Sequence, residues 1–278
     1  MYTSVRVHLV SCLMPRMLQV LEIFIPARLR SAASGRGSNG VLIEATQPLA
    51  LHAIDIASQS CGGFLVLPID ALDRFYHVVS WLEPTTQAEM GVLAVYDNTT
   101  VMVTLPRSNG VEVCQVIIHV PILAFCVRIL SFNCVLLQQV EFENQTYGDL
   151  EVIEVTLNAF ETMQLRDVGF NDLTGTRVVA SKAVAVFSGN YYTGIPEDDS
   201  LPADHVTEQI PPITTWGTRF ALTPTPDVLN EEQYIFLAAE DDTEIILHTV
   251  ATTEEVSTCK LISFSSIVSR THPVFSSR

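Results

Sequence analysis

From Gly40 onward apolar and polar residues alternate in short runs separated by turn residues, the period-two pattern of half-buried strands. The runs predict strands over Val41–Ala53, Phe64–Pro68 and Phe75–Trp81, the last ended by Glu83-Pro84. GVLAVY and TVMVTLP flank Asp97-Asn98, two residues that accept left-handed turn geometry, so Gly91–Pro106 reads as a β-hairpin. Glu151–Leu165 alternates around a break at Asn158 and gives two more strands. After the polar turn Asn171–Gly175, Val178, Val179, Ala183, Val184, Val186 and Phe187 form another, which Ser188-Gly189-Asn190 is expected to stop. Pro211-Pro212 excludes a helix or a central strand at that point. A short strand follows at Phe220–Thr223, and Tyr234–Leu247 reads as a second hairpin with an acidic turn. No stretch between Gly40 and Leu247 carries helical periodicity.

The pattern recurs. Leu93-Ala94, Asp97, Asn98 and Thr99 return as Leu237-Ala238, Asp241, Asp242 and Thr243, an offset of 144. Pro68-Ile69 with Phe75 returns as Pro212-Ile213 with Trp216 and Phe220, and IEATQPLAL from Ile43 loosely matches VASKAVAV from Val179 at an offset near 135. The expected fold is all-β, with antiparallel β-sandwich-like units in tandem repeat of about 140 residues. A β-propeller-like ring is the alternative, but a unit of that length is long for one blade.

Three segments depart from the pattern. Residues 1–39 form an atypical amino-terminal segment whose apolar core is broken by Pro15-Arg16, a poor match to a signal peptide, followed by the linker SAASGRGSN. The β domain spans 40–249 with an atypical insertion near 114–139, and 250–278 is a Ser-rich tail of little pattern. Cys114–Leu137 has the length of a membrane span, but Arg128 and Asn133 within it oppose that reading.

Charge narrows the partners. With 31 acidic against 15 basic residues and a formal net charge of -16, the chain is unsuited to nucleic-acid backbones and to anionic membranes. The six cysteines form no CxxC and no Cys/His set at zinc spacing, so they define neither a metal site nor a disulfide framework. Asn98-Thr99-Thr100 and Asn144-Gln145-Thr146 are glycosylation sequons beside strand-like runs, where a turn would be exposed.

No nucleophile, metal cluster or phosphate loop stands out, and no cofactor is implied. Asp204-His205 with Glu208 is the nearest acid/base set, and a structural role for His205 is the first expectation. Asp97-Asn98, Asp241-Asp242 and Glu197-Asp198-Asp199 offer oxygen ligands to Ca²⁺ without EF-hand spacing, so turn geometry accounts for them first. The loop from Tyr191 to Glu208 has no counterpart elsewhere in the chain. Tyr191, Tyr192, Asp198, Asp199, Asp204, His205, Glu208 and the nearby Trp216 are therefore the candidate binding residues.

The blocks FLVLPIDAL, GVLAVYDNTTVMVTLP, VTLNAFETMQL, DLTGTRVVASKAVAVFSGN, DHVTEQIPPITTWGTRF and FLAAEDDTEI, in that order, resemble the amino-terminal domain of the IgGFc-binding protein family. The resemblance covers about Val41 to Thr249 apart from Cys114–Gln139. It implies a secreted, mucus- or matrix-associated protein that recognises protein or glycoprotein partners without catalysis. Immunoglobulin Fc enters through the family name alone. The resemblance also implies a Cys pair in the loop after Ser-Gly-Asn, where this chain has Tyr192 and Ala203, so the loop is expected to be held by packing. The alternative function is a hydrolase, or a Ca²⁺-dependent binding protein, using residues 191–208.

Overall fold

The computed structural model describes residues 22–25, 33–56, 61–81, 86–107, 139–169, 171–193, 203–221, 234–240 and 243–247, together with the backbones of four short strands at 117–118, 257–260 and 269–273 and within 234–236. The acidic stretch holding Asp198 and Asp199, most of Cys114–Leu137, and nearly all of residues 1–32 and 248–278 lie outside them.

The strands in chain order are β1 (Gly35–Gly37), β2 (His52–Ile56), β3 (Cys61–Leu65), β4 (Asp73–His77), β5 (Ala88–Ala94), β6 (Thr99–Thr104), β7 (Ile117–Ile118), β8 (Val140–Phe142), β9 (Gln145–Tyr147), β10 (Val152–Leu157), β11 (Thr162–Arg166), β12 (Arg177–Thr193), β13 (Asp204–Ile210), β14 (Tyr234–Phe236), β15 (Glu244–Leu247), β16 (Ser257–Lys260) and β17 (Ser269–Pro273). Apart from single 3₁₀ turns at Ile69–Ala71 and Ile213–Thr215, the described elements are strands, as the alternation predicts. Eight of them build one antiparallel sheet, curled into a half-barrel, whose path is β1-β11-β5-β12-β6-β10 with β13 and β4 added on β12. A second sheet of this kind is not seen among the described residues, so the expected tandem repeat is not displayed as two like bodies.

The 17-residue β12 holds this sheet together. Val184 pairs with Ala94 of β5 on one edge and Asp73 of β4 on the other, while Val179 pairs with Met102 of β6 and Phe75 of β4. β5 and β6 therefore run in line along one edge of β12, and β4 and β13 along the other. This corrects the hairpin expected over Gly91–Pro106, because β5 and β6 pair with β12 and not with each other. Val95–Asn98 is a corner in one long bent strand. β10 and β11 repeat the arrangement outside β6 and β5, bending at Asn158–Glu161.

Side chains pin the bends to one another. The Asp97 carboxylate accepts from the Ala159 N–H at 3.0 Å, Asn158 Oδ1 from the Asn98 N–H at 3.3 Å, and Ser181 Oγ from the Thr100 N–H at 2.9 Å. Lys182 Nζ donates to the Asp97 carbonyl at 2.5 Å. Asn98 and Phe160 take left-handed φ of 54° and 66° at their corners.

Curling puts one residue in two on a common interior. Val92, Val101, Val103, Leu157, Val178, Val184, Val186 and Tyr76 are fully or almost fully buried there. The expected stop at Ser188-Gly189-Asn190 is also corrected, since β12 runs on to Thr193. A Cβ at Gly189 would overlap the Val206 carbonyl, so glycine serves here to let β13 approach. Beyond it Asn190, wholly buried, accepts from Thr86 Oγ1 at 2.7 Å and donates to the Trp81 carbonyl at 2.9 Å.

Candidate functional site

Pairing registers place Arg166 of β11, Glu89 of β5, Gly189 of β12 and Thr207 of β13 in one row across four strands. Neighbouring strands are about 4.8 Å apart, so Glu89 and residues of β13 are separated by two such spacings. Gly189 contributes no side chain between them. The Glu89 carboxylate thus reaches His205 Nε2 at 2.8 Å, on the face opposite the core, with Thr207 Oγ1 3.0 Å from the same nitrogen. Its other oxygen takes the Arg166 guanidinium at 2.8 Å.

A further layer covers this row. The β2–β3 hairpin lies on the outer face, with Phe64 edge-on to Phe187 at 5.7 Å between ring centres. Asp55 on β2 accepts from His205 Nδ1 at 2.8 Å, Asp204 Oδ1 accepts from the Cys61 N–H at 2.9 Å, and Gln209 Oε1 from the Leu67 N–H at 2.7 Å. At the other end of the row the Arg166 guanidinium lies over the Tyr191 ring, 4.7 Å from its centre. Tyr191 and the adjacent Tyr192 are 44% and 47% exposed.

The protonation states follow. Burial alone would push the Glu89 carboxyl up, but hydrogen bonds from His205 and Arg166, and their charges, hold it below the ordinary value. Its bond to Glu89 raises the His205 imidazole above the ordinary histidine value, against burial and with help from the charges of Glu89 and Asp55. An imidazolium facing one carboxylate at each nitrogen is a strut between β2, β5 and β13. It has no nitrogen free to take a proton from a substrate, which disfavours the hydrolase reading of His205.

The candidate residues thus fall into two places. Tyr191, Tyr192, Asp204 and His205 gather at the end of β12 and the start of β13, with Glu208 exposed further along β13. Trp216 lies elsewhere, its ring 6.3 Å from His77 and its Nε1 donating to the Pro211 carbonyl at 3.2 Å. His77 pairs with Arg177 at the opposite end of β12 from the tyrosines. Asp55, Glu89 and Arg166 were not singled out from the sequence, where only the pairing register would have brought them together. Among the described residues no group of three or more His, Cys, Asp or Glu side chains could hold a metal ion.

Comparison with known proteins bears on what this surface serves. The model of the family described as IgGFc binding protein matches residues 127–276, more than half of the chain. The chain belongs to the IgGFc-binding protein family. The human IgGFc-binding protein is 25% identical over 227 residues, 80% of this chain and 3% of its own length. This member of the IgGFc-binding family thus spans a small part of that relative, and no solved structure matches it. No described helix of this family member is long and apolar enough to cross a membrane.

Proposed function

We propose that the chain is a non-catalytic extracellular module that binds a protein or glycoprotein partner through the surface at the end of β12. The observation carrying this reading is the exposed Tyr191–Tyr192 pair beside the Arg166–Glu89–His205 row. Tyrosine supplies a large amphipathic contact at low entropic cost, and the Arg166 cation, itself fixed by Glu89, holds the Tyr191 ring in place before any partner arrives. Asp204, at the start of β13, adds negative charge at this end, which suits a cationic face.

Membership of the family makes immunoglobulin Fc the first partner to try, and a mucus or matrix setting follows from the resemblance. Secretion agrees with the sequons. Asn144 lies at an exposed hairpin tip, where Glu143 and Asn144 both take left-handed φ of 50° and 65°, and Asn98 is exposed at its corner. We propose both as glycosylated positions, to be checked by the mass lost on endoglycosidase treatment after expression in secretory cells.

The binding test is surface plasmon resonance of the full chain against immobilised Fc and a panel of secreted glycoproteins. Tyr191→Ala with Tyr192→Ala should weaken a bound partner at least about tenfold, the usual scale of an interface anchor. Binding that survives the double substitution unchanged places the contact elsewhere. Absence of binding across the panel removes the reading.

A further inference from the structure

Phe220 is 77% exposed, yet the turn that precedes it repeats the turn that precedes a core residue. Pro68 and Pro212, 144 positions apart, each open a single 3₁₀ turn with nearly the same backbone, φ −66° and ψ 155° against φ −66° and ψ 153°. The bonds within the turns recur at the same separation. Ala71 N–H donates to the Pro68 carbonyl and Thr215 N–H to that of Pro212, both at 2.9 Å. Leu72 donates to Ile69 at 3.1 Å and Trp216 to Ile213 at 3.0 Å. Further along, Thr99 Oγ1 donates to the Tyr96 carbonyl and Thr243 Oγ1 to the Glu240 carbonyl, each at 2.6 Å and again 144 positions apart.

The upstream hairpins agree as well. Ala53↔Phe64, Ile54↔Gly63 and Asp55↔Gly62 in β2–β3 become Ser188↔Glu208, Gly189↔Thr207 and Asn190↔Val206 in β12–β13 when the first strand is advanced by 135 positions and the second by 144. The difference is taken up by the longer loop of the second hairpin. On this mapping Phe220 takes the place of Tyr76. Tyr76 is wholly buried, pairs with Val178 of β12, and donates its hydroxyl to the Val184 carbonyl at 2.6 Å. Residues 217–221 belong to no strand, although their counterparts form β4.

We propose that residues 212–221 open a second unit of the same fold, and that Phe220 with the backbone around it is a docking site for a strand of the β12 type. The occupant is an antiparallel segment carrying the small and β-branched alternation of Arg177–Thr193, supplied by a like unit. Phenylalanine in place of tyrosine keeps the apolar filling and drops the need for a carbonyl acceptor. The mode is strand addition, in which main-chain hydrogen bonds give affinity and alternate side chains give specificity.

The test adds a synthetic peptide of residues 177–193 to the full chain carrying Phe220→Cys. Thiol modification at position 220 is followed by peptide mass mapping, which separates it from the six native cysteines. The peptide should slow modification at least about tenfold at saturation, as strand burial does for an exposed position, and a scrambled peptide should not. Hydrogen exchange on the unmutated chain should show matching protection of residues 217–221. Unchanged modification and exchange, or equal protection by the scrambled peptide, overturns the proposal.

Discussion

At the residue scale, Gly189 and His205 act together. Gly189 admits both the β13 backbone and the reach of Glu89 toward His205. Gly189→Val should therefore cost at least about 2 kcal/mol in urea unfolding, the scale of overpacking a tight site, because β13 must move and take His205 with it. The His205 strut makes stability depend on pH with a definite sign. A histidine whose folded pKa is raised stabilises fully below its unfolded value near 6.5, and loses that contribution as pH rises through the folded value. Glu89, held low when folded, contributes above about 4.5 and loses its contribution as pH falls through its folded value. Buried Asp167, pushed up to about 6, destabilises as pH rises from about 4. The melting temperature should accordingly fall as pH rises above about 6.5, and His205→Gln should flatten that limb while leaving the Asp167 slope below about pH 6 in place. A His205→Gln protein that keeps the full alkaline slope would contradict the strut. The substitution itself should cost about 1–2 kcal/mol, less than a fully buried ion pair because His205 is partly exposed.

At the element scale, the corners explain what could and could not be read ahead of the structure. Alternation in Gly91–Pro106 and Glu151–Leu165 located most of β5, β6, β10 and β11, whose buried residues fall on one face. It could not separate a hairpin from a bend. Asp97-Asn98 suits both, since either asks for a residue that tolerates left-handed φ and a side chain that bonds nearby backbone. What decides is whether the flanking runs pair with each other or with a third strand, and β12 lies some 80 residues further along the chain. The same limit hid the site. Glu89 and Arg166 are ordinary polar positions in two amphipathic strands until register sets them opposite one another. The corner is testable by Asp97→Ala, which removes the acceptor of the Ala159 N–H and should cost about 1 kcal/mol. Asn98→Val should cost a similar amount through the left-handed backbone, and the two losses should be less than additive because they loosen the same bend. Fully additive values in chemical denaturation would mean that the pinned bends do not act as a unit.

At the scale of the whole molecule, a formal net charge of -16 on 278 residues governs how a partner arrives more than how tightly it stays. Association with a cationic partner should slow as salt is raised from about 0.05 to 0.5 M, over which screening shortens from roughly 14 to 4 Å, while dissociation changes little. A rate insensitive to salt would shift the contact away from the acidic end of β12. The shared long strand has a consequence of a different kind, in the order of events during synthesis. β4, β5 and β6 all pair with β12, so each emerges from the ribosome well before the strand that covers its edge. Until Thr193 has been made, these apolar ribbons carry open edges of the sort that join to other chains. Neither half of the sheet can close early as a smaller domain. A chain cut short of Arg177 should accumulate as aggregate in a solubility assay, and the nascent protein should need its open edges covered until the centre of its sheet arrives.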